Sequence, residues 1–252
     1  MRNLIIILFL IVTIAFSCTK DSDVSGVSSD SEAVGQGGSM AKFSISNDHL
    51  FIINEYQLKV YGIEDAAQPQ LITSLNVDFG IETVFTLQDF LFIGSMNGMY
   101  IYDISNPRNI LFMSFYQHIT SCDPVVANDS LAFVTLNSTA SCWWQGGANR
   151  LDVLDITNKV NPIMLSSKNM TSPKGLGLYE NYVIVCNGES GVEIFDYSNP
   201  KQLQLVSGIS GIDAYDVIIR NEHMILIGRD GLFQYRIADI ENIELISNIL
   251  FQ

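Results

Sequence analysis

The sequence lacks the patterns that mark nucleic-acid-binding proteins and the common kinds of catalytic or metal site. Only 16% of the 252 residues are charged, and 13 Lys and Arg against 27 Asp and Glu give a formal net charge of −14. No basic patch stands out, and we exclude nucleic acid as a partner because phosphates are bound by clustered Lys and Arg. The three His show neither His-x-His nor i, i+4 spacing, so we expect no zinc or other metal site. No nucleotide-binding loop, EF-hand loop or dinucleotide fingerprint occurs, and we expect no cofactor.

The N-terminal apolar run is too short for a comfortable transmembrane helix, which needs roughly 20 residues. It spans residues 4–16, follows Arg2 and fits the apolar part of a signal peptide. Small residues at positions −3 and −1 precede Cys18, an arrangement that resembles the bacterial lipobox. The resemblance implies a signal peptide over residues 1–17, a lipid on Cys18, and an outer-membrane lipoprotein exposed to the periplasm or the cell surface. The alternatives are an ordinary secretory signal with a chance Cys and a permanent signal anchor.

Residues 18–40 are predicted to form the lipidated Cys and a flexible tether. Ser and Gly occupy ten of the 22 positions from residue 19 to residue 40, and no aromatic residue occurs there. Such a segment cannot bury enough apolar surface to offset the entropy lost on ordering. Residues 20–23 (Lys-Asp-Ser-Asp) resemble the short acidic signals that send Bacteroidetes-type lipoproteins to the cell surface. Residues 41–252 are expected to form the folded domain.

Five similar units follow one another through this domain. The clearest pair is residues 88–107 and residues 180–200, each with two apolar segments followed by Ser-Asn-Pro. One position of the unit recurs with steps of 41, 52, 41 and 40 residues, in the series Gly62, Asp103, Asp155, Asp196 and Arg236. A period of about 41 residues is typical of a propeller blade. The repeat therefore predicts five blades, with one insertion in the third.

The second unit shows how each blade is built. We predict strands over residues 83–87, 90–94, 99–104 and 110–116. The third of these is apolar on both faces, which indicates a sheet that neighbouring blades cover on both sides. The predicted fold class is therefore all-β, a β-propeller of about five four-stranded blades, with a β-sandwich or paired sheets as the alternative. No strand exchange is visible between the ends, so the ring either closes by face packing or stays open and dimerises.

The third strands carry a short motif that resembles a known sequence repeat. Residues 101–107 (Ile-Tyr-Asp-Ile-Ser-Asn-Pro) and 153–157 (Val-Leu-Asp-Ile-Thr) resemble the LVIVD repeat of bacterial surface and secreted β-propeller proteins. The resemblance covers nearly all of residues 41–252, although Arg236 replaces the motif's Asp in the last unit. It implies a propeller in an exported protein and adds almost nothing about chemistry.

One face of the predicted propeller gathers the residues that we interpret as a ligand or partner surface. The insertion, residues 135–150, lies between the second and third strands of the third unit and contains Trp143 and Trp144. Flat aromatic rings suit a sugar or a protein partner, whereas the alternative is a local cap over the blade. Five residues near the starts of the inner strands share this face around the channel mouth: Glu82, Asp123, Lys174, Tyr215 and Asp216. Mixed charges there bind a cation or a polar ligand, or form a merely solvated rim.

Three cysteines remain after Cys18. Because an exported chain favours disulfides, and Cys122 and Cys142 share the insertion face, we predict a bond between them; the alternative is two free thiols. Cys186 is expected to be a small buried apolar residue.

The recurring Asp103, Asp155 and Asp196 are interpreted as braces of the turns that follow the third strands. A metal site is the alternative. It is disfavoured because equivalent residues of successive blades stand one blade apart and therefore do not converge on one ion. The function we expect is a non-enzymatic, membrane-anchored scaffold that binds a protein or a glycan. The alternatives are a polysaccharide-active hydrolase or lyase that uses acidic residues at the channel mouth, and a structural subunit of a surface complex.

Overall fold

The computed structural model describes residues 38–118, 124–138 and 148–251. These residues form twenty β-strands in five four-stranded antiparallel sheets. Within each sheet the strands are hydrogen-bonded in chain order, so each sheet is a meander and forms one blade. The chain is a five-bladed β-propeller, which confirms the predicted fold class. Within the described ranges, no helix is long and apolar enough to cross a membrane.

The blades have similar strand lengths, and their bounds follow. Blade 1 contains β1 (Phe43–Ser46), β2 (His49–Ile53), β3 (Gln57–Gly62) and β4 (Gln70–Asn76). Blade 2 contains β5 (Ile81–Leu87), β6 (Phe90–Ser95), β7 (Gly98–Asp103) and β8 (Leu111–Gln117). Blade 3 contains β9 (Val125–Ala127), β10 (Leu131–Leu136), β11 (Arg150–Asp155) and β12 (Ile163–Asn169). Blade 4 contains β13 (Leu176–Tyr179), β14 (Tyr182–Cys186), β15 (Val192–Asp196) and β16 (Gln204–Ile209). Blade 5 contains β17 (Ala214–Arg220), β18 (His223–Gly228), β19 (Gly231–Arg236) and β20 (Glu244–Leu250).

The first strand of each blade lies nearest the axis. β1 contacts β5, β5 contacts β9, β9 contacts β13 and β13 contacts β17. The starts of these inner strands lie at the same end of the channel as the turns between second and third strands. We call this end the mouth, and it carries the insertion that follows β10.

The turns after the third strands are braced as predicted. Each recurring Asp accepts a hydrogen bond from the backbone N–H two residues further on. The pairs are Asp103 with Ser105 at 2.9 Å, Asp155 with Thr157 at 2.9 Å and Asp196 with Ser198 at 2.6 Å. Hydrogen bonds from the side chain and backbone of these partners hold the pKa of all three carboxyls below its usual value. The turn-bracing interpretation is confirmed.

The core consists of four clusters of buried side chains, each between two consecutive blades. In the first cluster, for example, Phe51 and Val60 of blade 1 pack with Leu91 and Tyr102 of blade 2. Blades 2, 3 and 4 are therefore covered on both faces. This explains why their third strands are apolar on both sides, with no simple alternation of polar and apolar residues.

The contact between blade 5 and blade 1 is different. Among the described residues, no core cluster joins these two blades, and no sheet contains strands of both. Residues 38–40, which we call the strap, instead run from blade 1 across the mouth. The Ser39 hydroxyl contacts Leu176 of blade 4 and Asp216 of blade 5. The strap thus bridges blades that no shared sheet connects.

Candidate functional site

A cavity of about 270 Å³ lies on the propeller axis, lined by residues of all five inner strands. Most of the lining is apolar and includes Val84, Val126 and Ile219. Two polar residues, Ser44 and Thr86, satisfy each other through a buried hydroxyl–hydroxyl bond of 2.6 Å. Pockets for drug-sized ligands occupy roughly 300–1,000 Å³, so this cavity has room for a small molecule and none for a polysaccharide chain.

The strap lies at the mouth of this cavity and is held by one buried serine. The Ser39 hydroxyl accepts the backbone N–H of Leu176 at 2.7 Å and donates to Asp216 Oδ1 at 3.1 Å. The backbone N–H of Met40 donates to Asp216 Oδ2 at 3.4 Å. Ser39 is only 2% exposed. The last residues of the predicted tether are therefore hydrogen-bonded into the propeller.

The Asp216 carboxylate is enclosed by the backbone as well as by the strap. A Cβ added at Gly38 or at Gly175 would overlap the carboxylate, so both positions require glycine at this close approach. The backbone N–H of Val217 donates to Asp216 Oδ1 at 2.9 Å. Burial raises the pKa of Asp216, and the hydrogen bonds from Val217, Met40 and Ser39 oppose that rise. Asp216 therefore serves as the anchor of the strap.

A cluster of charged and aromatic side chains surrounds the strap on the blade 4 and blade 5 side. We call Lys174, Asp213, Tyr215 and Arg229 the rim cluster. Lys174 Nζ lies 3.2 Å from Asp213 Oδ1 and 4.1 Å from the centre of the Tyr215 ring. Arg229 Nη2 lies 2.6 Å from Asp213 Oδ2. A hydrogen bond with Tyr215 and the charge of Asp213 raise the pKa of Arg229. Asp213, 9% exposed, is neutralised by two cations.

A repeated β-bulge places three of the predicted residues on the rim. In β5 the register shifts between Ile81 and Thr83, which leaves Glu82 as the extra residue. In β17 the same shift leaves Tyr215. Ahead of β13, both Lys174 and Gly175 hydrogen-bond to the backbone of Cys186, so Lys174 holds the equivalent place. A bulge re-aims its side chain out of the regular alternation, and here it directs one side chain to the mouth in each of these three blades.

Both ends of the insertion are held by the side chain of one asparagine, Asn149. Asn149 Oδ1 accepts the N–H of Ser138 at 2.8 Å and its hydroxyl at 2.9 Å, which ties the two ends together. Asn149 Nδ2 donates to the carbonyl of Thr171 at 2.8 Å. These bonds attach the insertion to the segment that connects blade 3 to blade 4.

A second asparagine fixes that connecting segment in turn. Asn187 is 1% exposed, and its Oδ1 accepts the N–H groups of Thr171 at 3.1 Å and Ser172 at 2.8 Å. Its Nδ2 donates to Glu193 Oε1 at 2.8 Å. We call Asn149 and Asn187, with their partners, the insertion clamp. The Thr135 hydroxyl, at the start of the insertion, donates to the carbonyl of Lys174 at 2.6 Å, so the described ends of the insertion lie next to the rim cluster.

The predicted surface residues divide into four groups. Lys174 and Tyr215 lie together at the rim, Asp216 turns inward beneath the strap, and Glu82 lies at the bulge of blade 2. Asp123, Trp143, Trp144, Cys18, Cys122 and Cys142 lie outside the described residues. The lipid site, the aromatic surface and the disulfide therefore stay predictions.

Asp213 and Arg229 were missed by sequence reasoning. Both lie in connections that the meander topology places at the mouth, so the topology could have indicated them. Cys186 is fully buried, with a free thiol whose pKa is raised, chiefly by burial. This confirms its predicted apolar role. In the described ranges, no group of three or more His, Cys, Asp or Glu is arranged to hold a metal ion.

The family comparison bears on blades 2 to 4. The sequence profile of the LVIVD repeat matches residues 83–118, 146–170 and 173–209. The chain contains LVIVD repeats. The matched segments include both motifs from which the resemblance was inferred, and they leave out blades 1 and 5. A comparison with curated proteins finds no match.

Solved structures show the same architecture in longer chains. A functionally unknown protein from Desulfotomaculum acetoxidans aligns with 86% of this LVIVD-repeat chain and 71% of its own, at 10% identity and a TM-score of 0.69. The computationally designed Ika8 protein aligns with 82% of this chain and 60% of its own, at 11% identity and a TM-score of 0.61. The periplasmic gluconolactonase PpgL of Pseudomonas aeruginosa aligns with 81% of this chain and 68% of its own, at 12% identity and a TM-score of 0.61. At these identities the likeness shows the fold alone.

Proposed function

We propose that this LVIVD-repeat chain is a lipid-anchored propeller that binds a protein or glycan partner through its mouth face. The observation that carries the proposal is the insertion clamp. It holds both ends of the segment that contains Trp143 and Trp144 against a rigid blade. Binding loops on a fixed base lose less conformational freedom when they bind than free loops do, and Trp is among the residues that dominate binding energy in interfaces.

The rim cluster supports the same function. A binding surface commonly has an apolar or aromatic centre and a polar border. Here Lys174, Tyr215 and Arg229 would form the border, and Asp213 forms ion pairs with Lys174 and Arg229. Arg229 is 59% exposed, so its guanidinium remains accessible to a partner.

Two of the acids described at the mouth, Asp213 and Asp216, are poorly placed for a polysaccharide hydrolase or lyase. A general acid or base must reach the proton that it transfers. Asp216 is enclosed by the strap, Asp213 is neutralised by Lys174 and Arg229, and the axial cavity is too small for a sugar chain.

The lipid anchor is tested on the full chain in a bacterium that has an outer membrane. We expect labelled palmitate to enter the chain, and we expect a Cys18→Ser variant to take up none. Membrane fractionation, followed by protease treatment of intact cells, then separates periplasmic from surface exposure. Absence of label in the unaltered chain would overturn the anchor.

The binding function is tested with the full chain in detergent micelles. A Trp143→Ala, Trp144→Ala double variant is compared with Phe112→Ala, which alters an aromatic residue that is 58% exposed on the outer strand of blade 2. We expect the wild type and the Phe112 variant to bind a glycan on an array, or a partner purified from solubilised membranes. We expect the double variant to lose that binding while its folding is unchanged. Equal binding by all three proteins would refute the proposal.

A further inference from the structure

The inner strands present one backbone edge to the propeller axis. In an antiparallel pair, alternate residues direct both N–H and C=O to the neighbouring strand, and the residues between them direct both groups away from it. Near the mouth, axis-facing N–H groups of three inner strands are bound by the protein itself. The pairs are Val84 with the carbonyl of Ala41 at 2.9 Å, Leu176 with Ser39 Oγ at 2.7 Å, and Val217 with Asp216 Oδ1 at 2.9 Å. These three N–H groups need no further partner.

Deeper along the same strands, the equivalent N–H groups have no such partner. Thr86, Leu178 and Ile219 each lie two positions further on, so the alternation points their N–H and C=O groups to the axis as well. Within the described ranges, no protein group accepts a hydrogen bond from these three N–H groups. Thr86 and Ile219 are each only 5% exposed. Because a buried N–H almost always has a hydrogen-bond partner, these groups require one inside the cavity that they line.

The hydroxyl pair of Ser44 and Thr86 adds a donor to the same cavity. The two hydroxyls hydrogen-bond to each other at 2.6 Å, and this bond uses only one of their two protons. The other proton has no acceptor among the residues that the structure describes. Ser44 is 7% exposed and Thr86 is 5% exposed, and both line the cavity. A ligand in the cavity would therefore meet a hydroxyl donor as well as the backbone groups.

The size and charge of the cavity restrict what it can hold. An apolar cavity of about 150 Å³ holds benzene, so one of about 270 Å³ leaves room for roughly ten non-hydrogen atoms. Among the described residues, no charged side chain lines it. An ion there would lose its hydration without gaining a counter-ion, which favours an uncharged ligand.

We propose that the axial cavity binds an uncharged small molecule of about ten non-hydrogen atoms, with an apolar body and an amide group at one end. The apolar body contacts the lining, which includes Val126 and Leu176. An amide both donates and accepts hydrogen bonds, as do the axis-facing groups of Thr86, Leu178 and Ile219. This site lies on the axis and is distinct from the partner surface at the mouth.

Three probes of related shape test the proposal on the full chain in detergent micelles, with protein-free micelles as the blank. Phenylacetamide has the expected size and group, phenylacetate has the same size and a negative charge, and diphenylacetamide is too large. Binding is followed by NMR of the Val, Leu and Ile methyl groups. We expect phenylacetamide to shift the signals of Val217 and Ile219 saturably, with a Kd of about 1 mM or tighter. The signals of Leu71, which is 57% exposed on the outer strand of blade 1, should not shift.

The other two probes should bind at least about tenfold more weakly, one because its charge has no counter-ion and the other because it does not fit. Equal binding of all three probes would overturn the proposal. An absence of saturable shifts at Val217 and Ile219 would overturn it as well, because water alone would then be the partner of the axis-facing groups.

A double variant tests the contact with the hydroxyl pair. Ser44→Ala, Thr86→Val replaces both partners by apolar groups of similar shape, which is nearly neutral for folding. We expect phenylacetamide to bind about three- to tenfold more weakly, because one hydrogen bond is lost. The control is Ser74→Ala, Thr73→Val, the same change on the outer strand of blade 1, which should leave the Kd unchanged. Equal Kd values for the two double variants would refute this placement of the ligand.

Discussion

Removal of the Ser39 hydroxyl tests whether the strap is part of the folded propeller. Ser39→Ala deletes the acceptor of the Leu176 N–H and one donor to Asp216. A buried N–H without a partner costs about 1–3 kcal/mol, and a hydrogen bond to a charged group contributes about 1.5–3 kcal/mol. Because the two effects share one site, they do not simply add, and we expect the variant to be less stable by about 2–4 kcal/mol.

The assay is unfolding of the full chain in urea and on heating. In a domain of this size each kcal/mol lowers the Tm by about 2–4 °C, so a decrease of roughly 5–15 °C is expected. Ser210→Ala is the matched control, because Ser210 is exposed on blade 4 and its loss should change stability by less than about 0.5 kcal/mol. A Ser39→Ala variant that behaves like this control would refute the role of the strap.

The pH dependence of the same variant identifies the partner of Ser39. Burial raises the folded-state pKa of Asp216 above its ordinary 3.8. The ionised carboxylate therefore costs folding free energy at neutral pH, and the fold gains stability as the pH falls through the folded-state pKa toward 3.8. Since the Ser39 hydroxyl favours the ionised form, the deficit of the variant should shrink between about pH 7 and about pH 4. A deficit that is constant over this range would show that Asp216 takes no part.

Three further predictions concern the clamp, the thiol and the turns. Asn187→Ala leaves the N–H groups of the connecting segment without their side-chain acceptor, so urea unfolding should show a loss of about 1–3 kcal/mol; an unchanged midpoint would contradict the clamp. Cys186 should resist iodoacetamide in the folded protein and react after unfolding, because burial raises its pKa; labelling at equal rates in both states would refute this. Carboxyl NMR titration should give pKa values below 3.8 for Asp103, Asp155 and Asp196, so their stabilisation is lost as the pH falls through those lowered values; ordinary values would exclude the braces.

The repeat could be read from the sequence because it is a local property. Each blade is built from about 41 consecutive residues, and its turns and braces, such as Asp103 with Ser105, join residues close in the chain. The strands of the second unit were therefore predicted to within two residues at each end. The two-sided apolar pattern of the third strands was also visible, since it depends only on which residue types alternate.

The mouth could be predicted only in outline. The topology indicated that Lys174 and Tyr215 share a face, and the structure shows them in contact. The bulges that aim these side chains depend on strand register, which composition does not reveal. For the same reason the pairing of Asp213 with Arg229 was missed, although both lie in connections on the correct face.

By itself the sequence determined the blade, its period, its number of copies and the lipobox-like start, because each is written in residues that are neighbours in the chain. The tertiary structure decided where equivalent residues end up. Ser39 and Asp216 are 177 residues apart, and no local pattern links a serine in a Gly/Ser-rich segment to a carboxylate in the fifth blade. Likewise, Ser166 and Ser247 occupy the same place in their repeats, yet the Ser166 hydroxyl donates to the carbonyl of Pro200 in blade 4, whereas Ser247 is exposed. A blade specifies its own faces, but only the arrangement of all five determines which faces are covered.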